Sequence, residues 1–355
     1  MKITRILASL VMVASLSLGL VACQKKDSTG AKIQEVNLSI WSNYVTPEMI
    51  AAFEKQTGYK VQISNYSSNE ELLAKMKAGA SGVDVAVPSD YMVFAMAQMD
   101  MLEKLDHAKL PVVTDMDPRW MKKDFDPTNA VSLPLDWGMT GIAVNKNLYQ
   151  GTVKGWNDLF ANKALAGKFT LLDDVRETLG AALKANGHSL NSKSVEEVKK
   201  AQARLESIRK SVKAFNSETL VGLSEGEMAV AHAYSCDALQ ARNRTKGKVE
   251  FVIPEEGCTL WVDNVVIPKG AKNIEGAYAL INFLLSPEIS AQRTQNIMVG
   301  PTNSKASALL PADLQKDTSL FPSSEQLSKC EMLHDIGESL VAWDHAWTAL
   351  KASAE

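Results

Sequence analysis

Five short segments at the ends of predicted strands or beside them together supply mostly aromatic rings and carboxylates. They are Trp41–Tyr44, Pro88–Tyr91, Asp173–Glu177, Tyr234–Asp237 and Trp261–Asp263. Aromatic faces attract cations, carboxylates pair with ammonium groups, and ring walls cover methylene chains. This composition predicts a site for a flexible alkyl chain that carries several ammonium groups. It disfavours phosphate, sulfate and carboxylate ligands.

The predicted strands and helices that must position these segments alternate along the chain. Val36–Trp41 alternates apolar and polar residues as a strand, and Thr46 then caps a helix with Pro47 in its first turn. Tyr59–Tyr66 is a second strand, and Val83–Val87 is a short strand that Pro88 ends. Continued alternation predicts an α/β fold, and in open α/β sheets ligands bind outside the carboxyl ends of the strands.

Each candidate residue also has a purely structural explanation. Trp41 and Trp261 could belong to the core. Asp173 or Asp174 could cap a helix, and Glu177 could complete the capping box. Asp263 is harder to explain in this way, because it lies within a predicted strand and a half-buried acid needs a partner. The shared position of these residues, more than any single one, favours a binding site.

Leu133–Asn145 has the character of a crossover between two lobes. Thr140–Asn145 alternates and is rich in branched residues, which predicts a strand. Pro134 favours an extended conformation for Leu133. An ordinary loop and strand within one domain is the alternative interpretation of this stretch.

Composition narrows the class of protein. The chain has 355 residues, enough for two domains, and its net charge of −3 offers no basic field to nucleic acid. Cys236, Cys258 and Cys330 follow the N-terminal region. An oxidising compartment permits one disulfide, and Cys236–Cys258 is conceivable, but the sequence does not fix the pairing. Cysteine and histidine clusters at metal-ligand spacing are lacking, so we expect neither a metal nor a cofactor.

The N-terminus has the pattern of a secretory signal. A short basic region precedes an apolar run that ends in Leu20–Cys23, which resembles a bacterial lipobox. The resemblance implies a lipoprotein signal peptide over 1–22, a diacylglycerol on the sulfur of Cys23 and a flexible leader over 23–31. We expect the protein to be anchored to a membrane of the cell envelope by this lipid, facing the periplasm or cell exterior. No later segment is expected to span a membrane.

The mature chain resembles, nearly end to end, the polyamine-binding proteins of ABC importers, which bind spermidine and putrescine. The matching stretches are Trp41–Tyr44, Phe53–Gly58, Asp84–Ser89, Leu133–Asn145, Asp173–Glu177, Ala214–Ser217, Glu225–Glu227, Trp261–Asp263 and Ile281–Leu284. The resemblance implies the type II periplasmic-binding-protein fold, in which two lobes, each a mixed sheet flanked by helices, are joined by crossing strands. It places 32–138 and 262–306 in lobe 1, and 139–261 and 307–355 in lobe 2.

The resemblance also implies which residues contact the ligand. They are Trp41, Ser42, Asn43, Tyr44, Ser89, Tyr91, Asp174, Glu177, Tyr234, Asp237, Trp261 and Asp263. Asp174 and Glu177 match the acids that bind one amine end, and Asp263 matches the acid for an amine in mid-site. Trp261 matches the stacking tryptophan, whereas Tyr234 takes a place usually held by another tryptophan.

Departures from the family pattern bear on specificity. Asn43 stands where spermidine-type members carry Glu, and Asp237 matches the putrescine type, whereas Tyr91 matches the spermidine type. We therefore expect both polyamines to bind, putrescine at least as well as spermidine. Asp136 is absent from the family pattern, and we expect it to face water.

The function that these observations favour is that of a monomeric receptor without catalysis, which closes on a polyamine and delivers it to an ABC permease and its ATPase subunits. A polyamine sensor for a membrane signalling partner would use the same pocket. A binder of another small cation or of an anion, with the same two lobes, is a further alternative. An exported enzyme that uses Asp174, Glu177 or Asp263 as acid–base residues lacks a serine-nucleophile or metal motif to support it.

Overall fold

The computed structural model describes residues 34–78 and 82–352, so the predicted signal peptide, lipidation site and leader lie outside it. The strands are β1 (Glu35–Trp41), β2 (Lys60–Tyr66), β3 (Val85–Ala86), β4 (Ser132–Asn145), β5 (Phe169–Leu171), β6 (Val212–Phe215), β7 (Val230–Tyr234), β8 (Val249–Val252), β9 (Thr259–Val266), β10 (Gly300–Pro301) and β11 (Glu331–Met332). They form a continuous sheet with the order β2-β1-β3-β9-β4-β7-β5-β6, from which β8 and β10 branch at β4 and β11 branches at β9. Parallel and antiparallel pairs both occur.

Helices cover the sheet. They are α1 (Pro47–Thr57), α2 (Asn69–Lys77), α3 (Asp90–Gln98), α4 (Trp156–Ala161), α5 (Val175–Ala185), α6 (Val195–Ile208), α7 (Thr219–Glu225), α8 (Ser235–Arg244), α9 (Ile274–Leu284), α10 (Pro287–Ile297), α11 (Ala312–Gln315), α12 (Ser324–Leu327) and α13 (Leu340–Ala352). Within the described ranges, none of them is long and apolar enough to cross a membrane.

The ends of α1 follow the sequence rules. The Thr46 hydroxyl accepts the backbone N–H of Met49 at 3.3 Å, and Pro47 is the first helical residue. Gly58 ends the helix with φ +78°, a left-handed conformation that glycine adopts without the steric cost of a Cβ. Because these signals are local, the predicted helix and its cap are confirmed.

Two large apolar clusters form the core and draw on opposite ends of the long strand β4. One contains Val36, Phe53 and Leu133 together with Ile281 from α9. The other contains Trp156, Leu179 and Val230 together with Trp343 from α13. The residues of the first cluster come from 36–135 and 265–289. Those of the second come from 142–230 and 336–350. The core is thus divided, and β4 contributes residues to both clusters, Leu133 to the first and Ile142 to the second.

The strands β4 and β9 run antiparallel and pair from Ser132 opposite Val266 to Thr140 opposite Thr259. All 14 residues of β4 are buried, as expected for a central strand that is covered on both faces. The predicted strand at Thr140–Asn145 is confirmed, and it extends back to include Leu133. This pair of strands carries the middle of the candidate site.

Candidate functional site

Strand β9 supplies one wall of the candidate site. Side chains alternate between the two faces of a strand, so Thr259, Trp261 and Asp263 share a face. With a rise of about 3.3 Å per residue, the Cα atoms of Thr259 and Asp263 are separated by roughly 13 Å. The indole of Trp261 therefore lies between two polar ends of one strand face.

Asp263 occupies one of these ends. Its carboxyl is buried and accepts hydrogen bonds from the Tyr44 hydroxyl at 2.5 Å and the Ser89 hydroxyl at 2.7 Å. Ser89 also forms an isolated backbone bridge with Asp263, which fixes the end of β3 beside β9. Burial raises the pKa of Asp263 to about 6, although the two hydroxyl groups stabilise the anion and oppose the rise.

Glu177 occupies the other end. Its Oε1 accepts a hydrogen bond from the Thr140 hydroxyl at 3.0 Å, and its Oε2 accepts one from Thr259 at 2.7 Å. Burial raises the pKa of Glu177 to about 8, and the neighbouring negative charge of Asp174 contributes to the rise. Two hydroxyl donors therefore do not compensate fully for the loss of water around this carboxyl.

Asp174 is both a helix cap and a member of the site. Its Oδ1 accepts the backbone N–H groups of Arg176 at 2.8 Å and Glu177 at 3.0 Å, so it is the N-cap of α5. Burial raises the pKa of Asp174, and the charge of Glu70 adds to the rise. Glu70 accepts a hydrogen bond from the Tyr91 hydroxyl at 3.0 Å. Acids from the first turns of α2 and α5 thus face one another.

Aromatic rings surround the indole of Trp261. The Tyr234 ring meets it edge-on, with centroids 6.5 Å apart and an interplanar angle of 83°, and Tyr44 packs against the same cluster. Gly138 lies opposite Trp261 in β4, where an added Cβ would be 2.3 Å from the ring. We use the name cleft for the region that is bordered by Tyr44, Asp174, Glu177, Tyr234, Trp261 and Asp263.

Four of the remaining predicted residues, Trp41, Ser89, Tyr91 and Asp237, lie at the half-buried edge of the cleft, whereas Ser42 and Asn43 are exposed. Trp41 is half-buried, with its ring edge-on to Tyr66 at 4.6 Å. Ser42 and Asn43 are exposed in the turn after β1, where Asn43 has φ +68°, and neither side chain bonds to another described residue. Asp237 is half-buried and accepts a hydrogen bond from Thr219. The structure brings ten of the twelve predicted residues against the cleft or its half-buried border, but it gives Ser42 and Asn43 no partner.

Two acids that the sequence-based prediction omits, Asp90 and Glu70, lie against the predicted residues. Asp90 is buried and accepts the backbone N–H of Val262 at 3.3 Å. Asp90 lies between Ser89 and Tyr91 in a segment at the end of a strand. This position in the sequence could have identified it as a candidate site residue. Glu70 belongs to the start of a helix, which the strand-end rule does not select.

The expectation that Asp136 faces water is wrong. Asp136 is fully buried and forms a two-pronged ion pair with Arg293 of α10, with contacts of 2.5 Å from Nε and 3.0 Å from Nη2. Arg293 also donates to the backbone oxygens of Leu284 and Leu135. Since 157 residues separate the two partners, no local pattern signalled this pair.

The conceivable disulfide between Cys236 and Cys258 does not form. Cys258 is bonded to Cys330, and Cys236 is a free thiol beside the cleft. The bond ties β11 alongside the first residues of β9, where Glu331 lies opposite Thr259. Within 34–78 and 82–352 no group of three His, Cys, Asp or Glu residues is placed to hold a metal ion.

Comparison with known proteins identifies relatives over almost the whole chain. The spermidine/putrescine-binding periplasmic protein 1 of Haemophilus influenzae is 35% identical over 98% of this chain and 99% of its own. The spermidine/putrescine ABC transporter substrate-binding protein PotD of Streptococcus pneumoniae superposes with a TM-score of 0.81, at 30% identity over 91% of this chain and 100% of that chain. A PotD lipoprotein of Treponema pallidum superposes with a TM-score of 0.80, at 29% identity over 89% of this chain and 99% of that chain.

These similarities settle the fold and the family. The structural neighbours confirm the predicted two-lobe type II periplasmic-binding-protein fold. The family model described as bacterial extracellular solute-binding protein matches residues 48–322. Its members bind solutes, which confirms the prediction of a binding protein rather than an enzyme. The chain belongs to the bacterial extracellular solute-binding proteins.

Proposed function

We propose that the protein is an extracytoplasmic receptor for putrescine and spermidine, which closes on its ligand and delivers it to an ABC import permease. The observation that carries this proposal is the position of Trp261 between two buried carboxyl groups, Asp263 and Glu177. An alkyl chain that lies along the indole can present one ammonium group to each end. The named relatives from Haemophilus influenzae and Streptococcus pneumoniae bind or transport the same class of solute.

Electrostatics support a cationic ligand. A desolvated carboxylate is unfavourable unless a cation or several hydrogen-bond donors accompany it. Asp263 and Glu177 have two hydroxyl donors each and raised pKa values. An ammonium group placed against either carboxyl would supply the missing compensation.

The alternative anion-binding function fits the cleft poorly. Arg176 is the base nearest to Asp174 and Glu177, and it is already engaged. Its guanidinium donates to the backbone oxygen of His334 and to Asn191, and it lies over the Trp343 ring at 4.9 Å. No free arginine remains at this end, among the residues that the structure describes, to receive a phosphate or carboxylate.

Closure of two lobes on the ligand is part of the proposal. Lobe 1 would comprise 32–138 and 262–306, and lobe 2 would comprise 139–261 and 307–355. The two apolar cores lie within these bounds. Asp263 would then pair with the ligand from lobe 1 and Glu177 from lobe 2, so that ligand binding favours the closed form.

Lipid anchoring through Cys23 completes the proposal, with the receptor acting as a monomer at the outer face of a membrane. The lipobox-like sequence Leu20–Cys23 supports the anchor. The Treponema pallidum relative is itself named a lipoprotein. Metabolic labelling with a radioactive fatty acid tests this point: wild type takes up label, and Cys23→Ser does not. Unlabelled wild-type protein would contradict the anchor.

Isothermal titration tests the ligand. The mature protein is refolded to remove bound solute and titrated with putrescine, spermidine and spermine, with an amino acid and phosphate as controls. Saturable binding of a polyamine, without binding of the amino acid or of phosphate, supports the proposal. A folded protein that takes up none of the three polyamines refutes it. Sensor and importer are then distinguished by reconstitution with the permease and ATPase subunits, since an importer subunit stimulates ATP hydrolysis when loaded.

A further inference from the structure

Six acids are buried in the described part of the chain, and three of them have either four hydrogen-bond donors or an ion-pair partner within the protein. Asp84 accepts four hydrogen bonds, from the backbone and side-chain nitrogens of Asn37 and the backbone N–H groups of Lys272 and Asn273. Asp136 has the Arg293 guanidinium. The third, Asp126, accepts four hydrogen bonds from the loop that follows it. These carboxyls have evident structural roles.

The other three buried acids, Asp90, Glu177 and Asp263, have two hydrogen-bond donors each. Ion pairs within 4.0 Å among the described residues do not include any of them. An ionised carboxylate can accept about four hydrogen bonds, so half of its capacity is unused. Glu177 and Asp263 belong to the proposed polyamine site. Asp90 shares their incomplete compensation. It lies in the strand-end segment Pro88–Tyr91, although the family resemblance does not place it among the ligand contacts.

Asp90 is placed between the two ends of the cleft. Its Oδ2 accepts the N–H of Val262, which stands between Trp261 and Asp263 on β9. The charge of Asp263 raises the pKa of Asp90, and the charge of Asp90 raises the pKa of Glu177. Asp90 is thus coupled electrostatically to both acids that face the ligand.

A structural role does not account for the negative charge of Asp90. Its two partners are the backbone N–H groups of Tyr91 at 2.7 Å and Val262 at 3.3 Å. A neutral oxygen from Ser or Asn can accept such bonds, whereas a buried carboxylate carries a much larger desolvation cost. An ionised Asp90 therefore needs a partner beyond these two donors, and a cationic ligand provides one.

We propose that Asp90 is a third acidic residue of the polyamine cleft and favours ligands that carry three amino groups over those that carry two. The inference rests on the proposed polyamine-binding function. A carboxylate between the end positions adds negative potential along the alkyl chain, and its effect grows with the charge of the ligand. Asp90 acts with Asp263 and Glu177 rather than as a separate site.

Proton release accompanies this role. Burial raises the pKa of Asp90 to about 8, the charge of Asp263 adds to the rise, and the charge of Arg176 on α5 opposes it. The other titratable groups that face this region are Glu177 and Tyr91. At neutral pH the ligand-free carboxyl holds its proton for most of the time, and a bound cation displaces that proton.

The test compares Asp90→Asn with wild type in titrations of spermidine and putrescine at pH 7.5, each in two buffers of different ionisation enthalpy. We expect the ratio of spermidine affinity to putrescine affinity to fall by about tenfold, which corresponds to about 1.4 kcal/mol. We also expect fewer protons to be released per spermidine bound. Asp84→Asn is the matched control, since it removes a buried charge from the same lobe away from the cleft, and it should leave both readouts unchanged.

The outcomes separate the inference from the function on which it rests. A fall of about threefold or more in the affinity ratio supports the role of Asp90, whereas a smaller change in a folded variant overturns it. If Asp90→Asn does not fold, Asp90→Ser replaces it, because its hydroxyl retains a neutral acceptor for Val262. The same change in the affinity ratio is then expected of Asp90→Ser. A wild-type protein that binds neither polyamine overturns the polyamine function itself.

Discussion

Asp136 lies directly opposite Asp263 in the antiparallel pairing of β4 and β9, yet within the described residues only Asp136 has a cation beside it. The Arg293 guanidinium forms an ion pair with the Asp136 carboxyl. The Asp263 carboxyl instead accepts hydrogen bonds from two hydroxyl groups. Two acids that are neighbours in register thus have different roles. Asp136 has a cation partner within the protein, whereas Asp263 has only hydroxyl donors, which is why we propose Asp263 as a ligand contact.

Removal of Arg293 should destabilise the protein strongly. In Arg293→Met the Asp136 carboxylate remains buried without a partner, and we expect a loss of about 3–5 kcal/mol in the free energy of unfolding. The double variant Asp136→Leu/Arg293→Met should recover most of that loss, because two well-packed apolar side chains can replace a buried ion pair. Urea unfolding measures both. Equal stability of the single and double variants would show that the ion pair is not what stabilises this part of the core.

Asp263→Asn should weaken polyamine binding by about two orders of magnitude or more, because the ligand loses a buried charge partner worth about 3–5 kcal/mol. The amide retains an acceptor for Tyr44 or Ser89, so the fold should persist. Titration calorimetry measures the affinity. Asp173→Asn is the control: Asp173 is exposed, pairs with Lys351, and should leave the affinity unchanged. A similar effect in both variants would point to overall charge rather than to the cleft.

Polyamine affinity should increase with pH between about 5 and 8. The pKa of Asp263 is raised to about 6 and that of Glu177 to about 8 without a ligand, whereas a bound ammonium group favours the ionised carboxyls. Protonation therefore competes with binding until both groups have titrated, and the affinity should level off above about pH 8. Glu177→Gln should reduce the upper part of this dependence, to which Asp90 also contributes. An affinity that stays constant from pH 5 to 8 would contradict the assignment of these acids.

Without a ligand, the same acids make stability depend on pH in the opposite direction. The pKa of Glu177 in the folded state is raised from its ordinary value of 4.5 to about 8. Its contribution to stability is therefore complete below about pH 4.5 and is lost as the pH rises through about 8. We expect the Tm of the ligand-free protein to fall between pH 5 and 9, and a saturating polyamine to reduce this fall. Differential scanning calorimetry compares the two conditions, and Glu177→Gln should show a shallower fall.

Gly138→Ala should damage the cleft more than the fold. The added Cβ would lie 2.3 Å from the Trp261 ring, so the indole must leave its present position. Overpacking of this kind costs about 1–3 kcal/mol of stability, and we expect polyamine affinity to fall together with it. Gly82→Ala is the control, because an added Cβ there meets no atom within 4 Å. Unchanged binding in Gly138→Ala would show that stacking on Trp261 does not contribute to affinity.

Local signals in the sequence predicted the helix caps, the strands and the acids at strand ends. Thr46 caps a helix as predicted, and of the two candidate caps Asp173 and Asp174 the structure selects Asp174, whose role in ligand binding stays a prediction. The sequence could not predict the partner of Asp136 or the pairing of Cys258, because these contacts join residues 157 and 72 positions apart. Such contacts depend on how helices and strands pack in three dimensions. For the same reason the number of donors around Asp90 became apparent only in the folded chain.

The two ends of the described chain belong to different apolar cores. Val36 of β1 packs in one core, and Leu350 of α13 packs in the other. Fluorophores attached near these two elements would sit on separate bodies if the cores move relative to one another. Energy transfer between them would then report ligand concentration directly, which makes the wild-type architecture suitable as the frame of a genetically encoded optical sensor.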